Sequence, residues 1–381
     1  MNAFRAIERL RARFDSPSLA SSRWASFGPY YAMFPVSFAR KVIDDFSEPG
    51  DIVLDPFAGR GTAVYCAFEA GRHGIGIEHN PLGWIYGHTK LRPAPKAKVI
   101  KRLSELANSS HERLDEADLL PEFFQFCFSK IVRAFLLTVR EQLNWKQSVV
   151  DRTLMAFLLT YLHGKIGDNG SPQALSNQMR QTKALAPDYS VNWWRKQGLI
   201  NPPEIDPVDF LSRRIEWRYE RGFPRFCRSS VKFGDCRNVL QKMKRPKEGI
   251  KLLLTSPPYC GVTSYYYDQW LRLWLLGESE RPSLTGEEWK SKHDSRVDYR
   301  ALLSDAFVGA SRLLAPDATI YVRTDAREVT RKISIEVLSS VFPTKKLDVV
   351  EAPFQKPTQT HLFGDRAPKP GEVDLILRPL K

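Results

Sequence analysis

Residues 51–62 read DIVLDPFAGRGT, and this stretch decides the fold class. Its apolar run IVL has the length of a buried strand, and the Gly-rich turn Asp55–Thr62 follows directly. A helical pattern then covers residues 63–70, and a second strand pattern, HGIGI, runs from His73 to Ile77 and ends at Glu78. Strand, Gly-rich turn, helix and strand in this order predict half of a doubly wound α/β sheet.

The α/β pattern is interrupted once. From residue 92 to residue 230 the apolar periodicity is helical, as in IVRAFLLTV and TLMAFLLTYL. Strand patterns then resume, and Leu347–Val350 and Val373–Leu377 predict an antiparallel strand pair at one sheet edge. We therefore predict three segments: 1–91 with an N-terminal helix and the first half of the sheet, 92–230 as an inserted, mainly helical domain, and 231–381 as the second half.

The chain is basic, with 57 Lys and Arg against 43 Asp and Glu, a net charge of +14 at pH 7. This excess favours a polyanionic partner, either a nucleic acid or an anionic membrane surface, although a basic soluble protein without such a partner would also show it. Half of the excess lies between Arg92 and Arg228, within the predicted insertion.

Several classes of protein are not expected. The cysteines form no C-x-x-C pair and the histidines show no ligand spacing, so the sequence predicts neither a disulfide framework nor a metal site. No apolar run reaches the roughly 18 residues of a membrane span, and the basic, amphipathic start MNAFRAIERLRARFDS lacks a signal-peptide core. We predict a cytoplasmic protein.

The Gly-rich turn is a candidate ligand site. Gly59 and Gly61 lack a Cβ, so the backbone there can approach a ligand closely. The turn has neither the Gly-Lys-Ser/Thr ending of a phosphate loop nor the third glycine of the dinucleotide motif. With Glu78, whose carboxylate could accept both hydroxyls of a ribose, it fits a nucleoside. The alternative, a structural turn with Glu78 as a solvated strand end, is equally compatible with these residues.

A second candidate is LTSPPYC, residues 254–260, which again follows a strand pattern. Two consecutive prolines remove two backbone donors and fix φ, so the segment presents carbonyl acceptors in a rigid arc. Ser256 adds a hydroxyl and Tyr259 a flat face, and acceptors beside an aromatic ring suit an extruded base that carries an exocyclic amine. The alternative is a stiff loop with Tyr259 packed in the core.

DPFAGRGT and TSPPY together resemble the motifs of the S-adenosylmethionine-dependent DNA amino-methyltransferases, which methylate an exocyclic base nitrogen. The order of cofactor motif, insertion and catalytic motif is similar to the class whose target-recognition domain lies between the two halves. The resemblance implies a mostly parallel, seven-stranded, Rossmann-like methyltransferase sheet, S-adenosylmethionine as cofactor and double-stranded DNA as partner. It covers residues 55–92 and 231–325 well and the insertion poorly.

The resemblance also implies roles for individual residues. The catalytic motif is Ser256, Pro257, Pro258 and Tyr259. In it, Ser256 Oγ and the Pro257 carbonyl would accept hydrogen bonds from the target amine, and the Tyr259 ring would stack on the flipped base. Asp235 would meet the adenine amine of the cofactor. The implied cofactor-binding residues are Phe34, Pro35, Asp55, Phe57, Gly59, Gly61, Thr62, Glu78, Asn80, Asp235 and Thr255.

The sequence leaves two candidates for the nitrogen that is methylated. In the resembled family, Ser-Pro-Pro-Tyr is typical of cytosine-N4 enzymes, and Asp or Asn in the first position is typical of adenine-N6 enzymes, so Ser256 favours cytosine N4 with adenine N6 as the alternative. An RNA amino-methyltransferase and a non-catalytic DNA-binding subunit are further alternatives. A role in restriction–modification or host-DNA marking is expected, with a cognate restriction endonuclease as a candidate partner.

The insertion contains candidate DNA contacts. Amides (Asn177, Gln178, Gln181) lie among cations and aromatics, the residue types that read base edges and hold phosphates. The spacing of Arg213, Arg214, Arg218 and Arg221 predicts a row of cations on one helix face. The alternative is that Trp193 and Trp194 are core residues and the charges are solvated. The candidate DNA-binding residues are Asn177, Arg180, Lys183, Trp193, Arg195, Lys196, Arg213 and Arg214, and the segment Phe354–Lys369 is either a DNA-contacting loop or a polar connection.

Overall fold

A computed structural model describes residues 19–30, 35–181, 183–223, 228–261, 265–282, 295–352 and 371–380. The predicted N-terminal helix, Phe34 and the segment 354–369 lie outside these residues.

The described strands form one sheet. They are β1 (Ile52–Asp55), β2 (His73–Glu78), β3 (Ser230–Phe233), β4 (Ile250–Thr255), β5 (Leu314–Asp325), β6 (Lys345–Ala352) and β7 (Glu372–Pro379). Their order across the 7-stranded sheet is β3-β2-β1-β4-β5-β7-β6. Among the described strands, β7 is the one that runs in the opposite direction to the rest, and it pairs antiparallel with both β5 and β6. The predicted doubly wound, mostly parallel, Rossmann-like sheet and its antiparallel edge pair are confirmed.

Helices surround this sheet and fill the insertion. Those outside the predicted insertion are α1 (Ala20–Ala25), α2 (Val36–Phe46), α3 (Thr62–Glu69), α4 (Pro81–Leu91), α12 (Cys236–Lys242), α13 (Tyr265–Asp268), α14 (Trp270–Leu275), α15 (Arg296–Ser311) and α16 (Glu328–Val341). Those of the insertion are α5 (Lys96–Ser110), α6 (Leu114–Asp118), α7 (Glu122–Cys127), α8 (Lys130–Gln142), α9 (Val149–Tyr161), α10 (Pro187–Lys196) and α11 (Pro207–Tyr219). Among the described helices, none is both long and apolar enough to cross a membrane.

Alternation along the strands sends apolar side chains to two separate cores. Val53, Leu252 and Leu254 face a cluster with α2 and α3. Leu54 and Leu253 face the opposite cluster, which includes buried residues of α12, α15 and α16. Because successive side chains of a strand point to opposite faces, continuous runs such as LLL in β4 are required when both faces are covered.

The inserted helices share their core with the sheet domain. Trp24 of α1, Tyr86 of α4, Phe157 of α9 and Trp274 of α14 belong to one contiguous apolar cluster. Phe27 lies 4.9 Å from Phe157, measured between ring centroids, so the chain before β1 packs directly on the insertion. The mainly helical character of the insertion is as expected, whereas its boundaries at 92 and 230 stay a prediction.

Candidate active site

The two sequence motifs meet at one edge of the sheet. Strands β1 and β4 are parallel neighbours, with Val53 paired to Leu252 and Leu54 to Leu253. Their carboxyl ends therefore lie side by side, and Thr255 Oγ1 donates a hydrogen bond of 2.7 Å to Asp55 Oδ1. In open parallel sheets, ligands bind at this edge, where the connections to the two faces diverge.

The Gly-rich turn has a backbone that only glycine adopts readily. Gly59 and Gly61 have φ of 53° and 76°, in the left-handed region that side chains disfavour. A Cβ on Gly61 would lie 3.0 Å from Gly87 Cα of α4, so this turn also requires a close approach of two backbones. Gly61 precedes Thr62, the first residue of α3, and Thr62 is buried. The turn therefore places bare backbone at the sheet edge, packed closely against α4.

Two buried carboxyls lie beside the turn. Asp55 is 2% exposed, and burial raises its pKa to about 7, although hydrogen bonds from Thr255 and the Phe57 N–H oppose the shift. Glu78, at the end of β2, is 9% exposed, and burial raises its pKa to about 8 against a 2.6 Å hydrogen bond from the Asn80 N–H. Groups that donate hydrogen bonds to these carboxyls would favour their charged forms. A ribose diol is such a donor.

The second motif leaves its polar groups accessible. Pro257 is buried, and Ser256, Pro258 and Tyr259 are half-buried. The Tyr259 hydroxyl donates to Glu372 Oε1 at 3.3 Å, at the first residue of β7. Tyr259 is thus not enclosed in the core, contrary to the structural alternative for this motif.

Three of the implied cofactor residues have other structural tasks. The Asn80 side chain caps α4 by accepting from the Leu82 N–H at 3.0 Å. Asp235 follows β3, which pairs with β2 next to Glu78, and its carboxylate already holds Arg237 at 2.6 Å. Pro35 is exposed and precedes α2. Asp235 is near the predicted site, but the adenine amine of a cofactor would have to share the Asp235 carboxylate with the Arg237 guanidinium.

Comparison with known proteins agrees with this geometry. A family model for N6/N4 methyltransferases, described as DNA methylase, matches residues 12–82, which contain the Gly-rich turn and Glu78. The chain is 25% identical over 140 residues to the type II methyltransferase M.MjaII of Methanocaldococcus jannaschii, covering 35% of this chain and 26% of that protein.

Residues 12–82 of this chain are thus similar to the N6/N4 DNA methylases.

A second relative is the DNA adenine methyltransferase YhdJ of Escherichia coli, 40% identical over 90 residues, or 22% of this chain and 30% of that protein. The chain thus matches less than a third of the length of either relative. The solved rRNA methyltransferase AviRa of Streptomyces viridochromogenes aligns over 96% of this chain and 92% of its own with 14% identity and a TM-score of 0.33. The fold assignment therefore rests on the strand order of this chain.

Sequence reasoning missed two buried cations behind the turn. Arg60, between the two glycines, donates to the carbonyls of Ser26 at 3.2 Å and Gly28 at 2.9 Å. Lys90 is fully buried and donates to the Arg60 carbonyl at 3.1 Å. Together they tie the Gly-rich turn to α4 and to the chain that follows α1. A charged residue in a Gly-rich turn is normally interpreted as exposed, so the sequence carried no signal for this role.

A second missed group holds the far side of the motif. Arg323 on β5 contacts Glu372 at 3.2 Å and Asp374 at 2.6 Å. Its guanidinium also lies 3.4 Å from the ring centroid of Phe38 on α2. Because Glu372 accepts from Tyr259, this network joins the catalytic motif to β5, β7 and α2.

Most candidate DNA contacts in the insertion lie on its surface. Arg180, Arg195, Lys196 and Arg213 are exposed, and Trp193 is half-buried. Lys183 forms an ion pair with Asp268, and two of the exposed cations are also paired, Arg195 with Glu122 and Arg213 with Asp209. The surface cations remain available to a polyanion, since exposed ion pairs are weak and exchange partners readily.

Two predictions for the insertion are wrong. Asn177 is 1% exposed, and its side-chain amide donates to the carbonyls of Phe126 and Leu199, so it stabilises the interior instead of facing DNA. The row of cations on α11 is interrupted, because Arg218 is buried 4.5 Å from the ring centroid of Phe27.

Two further aromatic contacts modify the interpretation. Arg214 is half-buried, stacks 3.3 Å from the ring centroid of Phe210 and donates to the Pro172 carbonyl. Trp194 is buried and donates to the Gln178 carbonyl at 2.8 Å. Trp194 therefore belongs to the core, as the structural alternative expected, and Arg214 has a packing role.

Proposed function

We propose that the protein is a DNA methyltransferase that transfers the methyl group of S-adenosylmethionine to the N4 amine of a cytosine flipped out of duplex DNA. The observation that carries the proposal is the 2.7 Å bond between Thr255 and Asp55, which joins the catalytic motif to the cofactor turn. A methyl donor bound at the turn and an amine bound at Ser256 would then be neighbours. The reaction requires this proximity above all.

The residues present fit the cofactor. Gly59 and Gly61 give the turn a backbone with positive φ and no side chains, and Glu78 provides a buried acceptor at the strand end for the ribose hydroxyls. When bound, S-adenosylmethionine supplies an electrophilic methyl group on a sulfonium. Arg60 and Lys90 hold the turn from behind, so its shape is fixed before the cofactor arrives.

The catalytic motif fits an amine that needs activation. The lone pair of an exocyclic amine is delocalised into its ring, which makes the nitrogen a poor nucleophile. Hydrogen bonds from its N–H groups to Ser256 Oγ and the Pro257 carbonyl would favour the pyramidal nitrogen, whose lone pair is available. Tyr259 has a half-buried ring anchored through its hydroxyl to Glu372, which suits stacking on an extruded base.

Adenine N6 is the second candidate target. Ser256 supports cytosine, whereas YhdJ, a DNA adenine methyltransferase, is one of the proteins that this chain resembles. M.MjaII is a type II methyltransferase, and this supports a role in restriction–modification, with a cognate endonuclease as candidate partner.

The test is transfer of a labelled methyl group from S-adenosylmethionine to plasmid DNA, followed by nucleoside analysis. N4-methylcytosine is expected, and N6-methyladenine would shift the assignment to the second candidate. A parallel reaction with ribosomal or transfer RNA tests the RNA alternative. Binding of S-adenosylmethionine without methylation of any nucleic acid would contradict the proposal and favour a non-catalytic subunit.

A further inference from the structure

One irregular segment of the insertion docks onto the helices that follow the catalytic motif. The Ala184 N–H donates to the Asp268 carbonyl at 3.2 Å, and Lys183 Nζ lies 2.8 Å from the Asp268 carboxylate. Trp270 Nε1 donates to the Leu185 carbonyl at 3.1 Å. Asp268 ends α13 and Trp270 begins α14, a short distance along the chain from Tyr259. Residues 176–181 and 183–185, which we name the reading loop, therefore reach the catalytic half.

Buried side chains hold the backbone of the reading loop. His163, fully buried, lies with Nδ1 2.7 Å from the Arg180 carbonyl oxygen. Arg272, also fully buried, donates to the Gln181 carbonyl at 2.6 Å. Irregular backbone lacks the hydrogen bonds of a helix or strand, and each partner supplied by a buried side chain fixes its path. The loop is therefore rigid where it passes the catalytic half.

Arg272 also ties this loop to the rest of the insertion. Its guanidinium donates to the Leu159 carbonyl of α9 at 2.8 Å and to Gln269 Oε1 at 2.8 Å. The buried Arg272 guanidinium thus connects α9, the reading loop and Gln269, the residue between α13 and α14. Arginine suits this task because its donors have a fixed planar geometry.

The side chains of the loop divide into two groups. Asn177 donates inward to carbonyls, and Gln178 accepts from the Ile166 N–H at 2.5 Å. Arg180 and Gln181 are instead exposed, on the same stretch whose carbonyls are clamped. Of the three amides in the loop, Gln181 alone is exposed.

We infer that Arg180 and Gln181 read base edges of the DNA site and that Arg272 is the positioning residue that holds them beside the target base. Arginine pairs bidentately with guanine, and glutamine with adenine, in the major groove. A fixed backbone makes such pairing selective, because a wrong base then leaves donors without partners. This inference rests on the proposed function.

The test compares sequence preference, not only activity. The wild-type protein and S-adenosylmethionine are incubated with a pool of random duplexes, and the methylated sequences give the preferred site. Arg180→Ala and Gln181→Ala are each expected to lower the ratio of methylation at that site to methylation at a one-base mismatch about 10-fold. Gln197→Ala and Arg300→Ala, both at exposed positions, are matched controls expected to keep the ratio.

Arg272→Lys keeps the positive charge but loses the planar set of guanidinium hydrogen bonds. We expect this variant to show the same lowered ratio of methylation at the preferred site to methylation at a one-base mismatch, with unchanged affinity for S-adenosylmethionine. The two surface variants decide the inference even where Arg272→Lys lowers thermal stability. Variants at Arg180 and Gln181 that lose rate equally on all sequences, with the site preference intact, would overturn the inference. A wild-type protein that methylates no DNA contradicts the proposed function instead.

Discussion

Thr255 Oγ1 and Asp55 Oδ1 lie 2.7 Å apart and are both in buried residues, although the two residues are 200 positions apart in the sequence. This bond sets the spacing of the cofactor turn after β1 and the catalytic motif after β4. Thr255 also supplies the side-chain hydrogen bond that opposes the rise in the pKa of Asp55. The same contact therefore positions the two motifs and favours the charged form of this carboxyl.

Replacing Thr255 by Val keeps the shape and removes the donor. We expect a loss of about 1–3 kcal/mol in the free energy of unfolding, because the buried Asp55 carboxyl loses the Thr255 donor and keeps the Phe57 N–H. Urea denaturation measures this loss. Thr138→Val is the control, since that hydroxyl donates to a carbonyl within its own helix, and a smaller loss is expected there. Equal losses in the two variants would contradict a special role for Thr255.

Stability is expected to fall as pH rises. The pKa of Asp55 is about 7 in the folded protein against an ordinary 3.8, and that of Glu78 is about 8 against 4.5. Between the ordinary and the raised pKa of each carboxyl, the folded protein keeps a proton that the unfolded chain releases. In that range each group therefore lowers the free energy of unfolding by up to about 1.4 kcal/mol per pH unit. The fall ends above about 8. Denaturation across this range should show a smaller slope for Asp55→Asn, and an unchanged slope would contradict the assignment.

Cofactor affinity is expected to rise with pH through about 8, because ribose hydroxyls donate to Glu78 and favour its charged form. Calorimetric titration with S-adenosylmethionine measures this dependence. Glu78→Gln should bind about 10-fold or more weakly, since a hydrogen bond to a charged group contributes about 1.5–3 kcal/mol, and should lose the dependence on pH. Wild-type-like binding by this variant would refute the ribose assignment.

Ser256→Ala should lower turnover about 100-fold or more while affinity for S-adenosylmethionine stays near that of the wild type, as for an interaction made with the reacting group. Labelled methyl transfer and calorimetry measure the two quantities. Ser311→Ala, at a half-buried position on α15, is the matched control. Unchanged turnover in Ser256→Ala would remove this hydroxyl from the chemistry.

Arg323→Met should destabilise the protein by about 3–5 kcal/mol, because the buried Asp374 then loses its cation and keeps the hydrogen bond from the Tyr321 hydroxyl at 2.9 Å. The surface pair of Arg331 and Glu351, at 3.0 Å, provides the control, and Arg331→Met should cost about 1 kcal/mol or less. Denaturant titration of both variants separates them. Similar small losses would show that Arg323 is solvated in solution.

What the sequence determined by itself was local. The strand of apolar residues before DPFAG, the glycines that need positive φ and the rigid Pro-Pro segment all depend on neighbours along the chain, so the fold class and the two halves of the site were predictable. Val53 and Leu54 belong to different cores for the same local reason, the alternation of side chains along a strand.

The tertiary structure decided which polar residues face inward. Asn177 and Arg218 were predicted at a surface, yet carbonyls or rings from distant parts of the chain surround them. Arg60 was overlooked because its partners, Ser26 and Gly28, come from the chain before β1. A buried polar group is stable only where the fold brings it a partner, and partners far apart in sequence leave no local pattern.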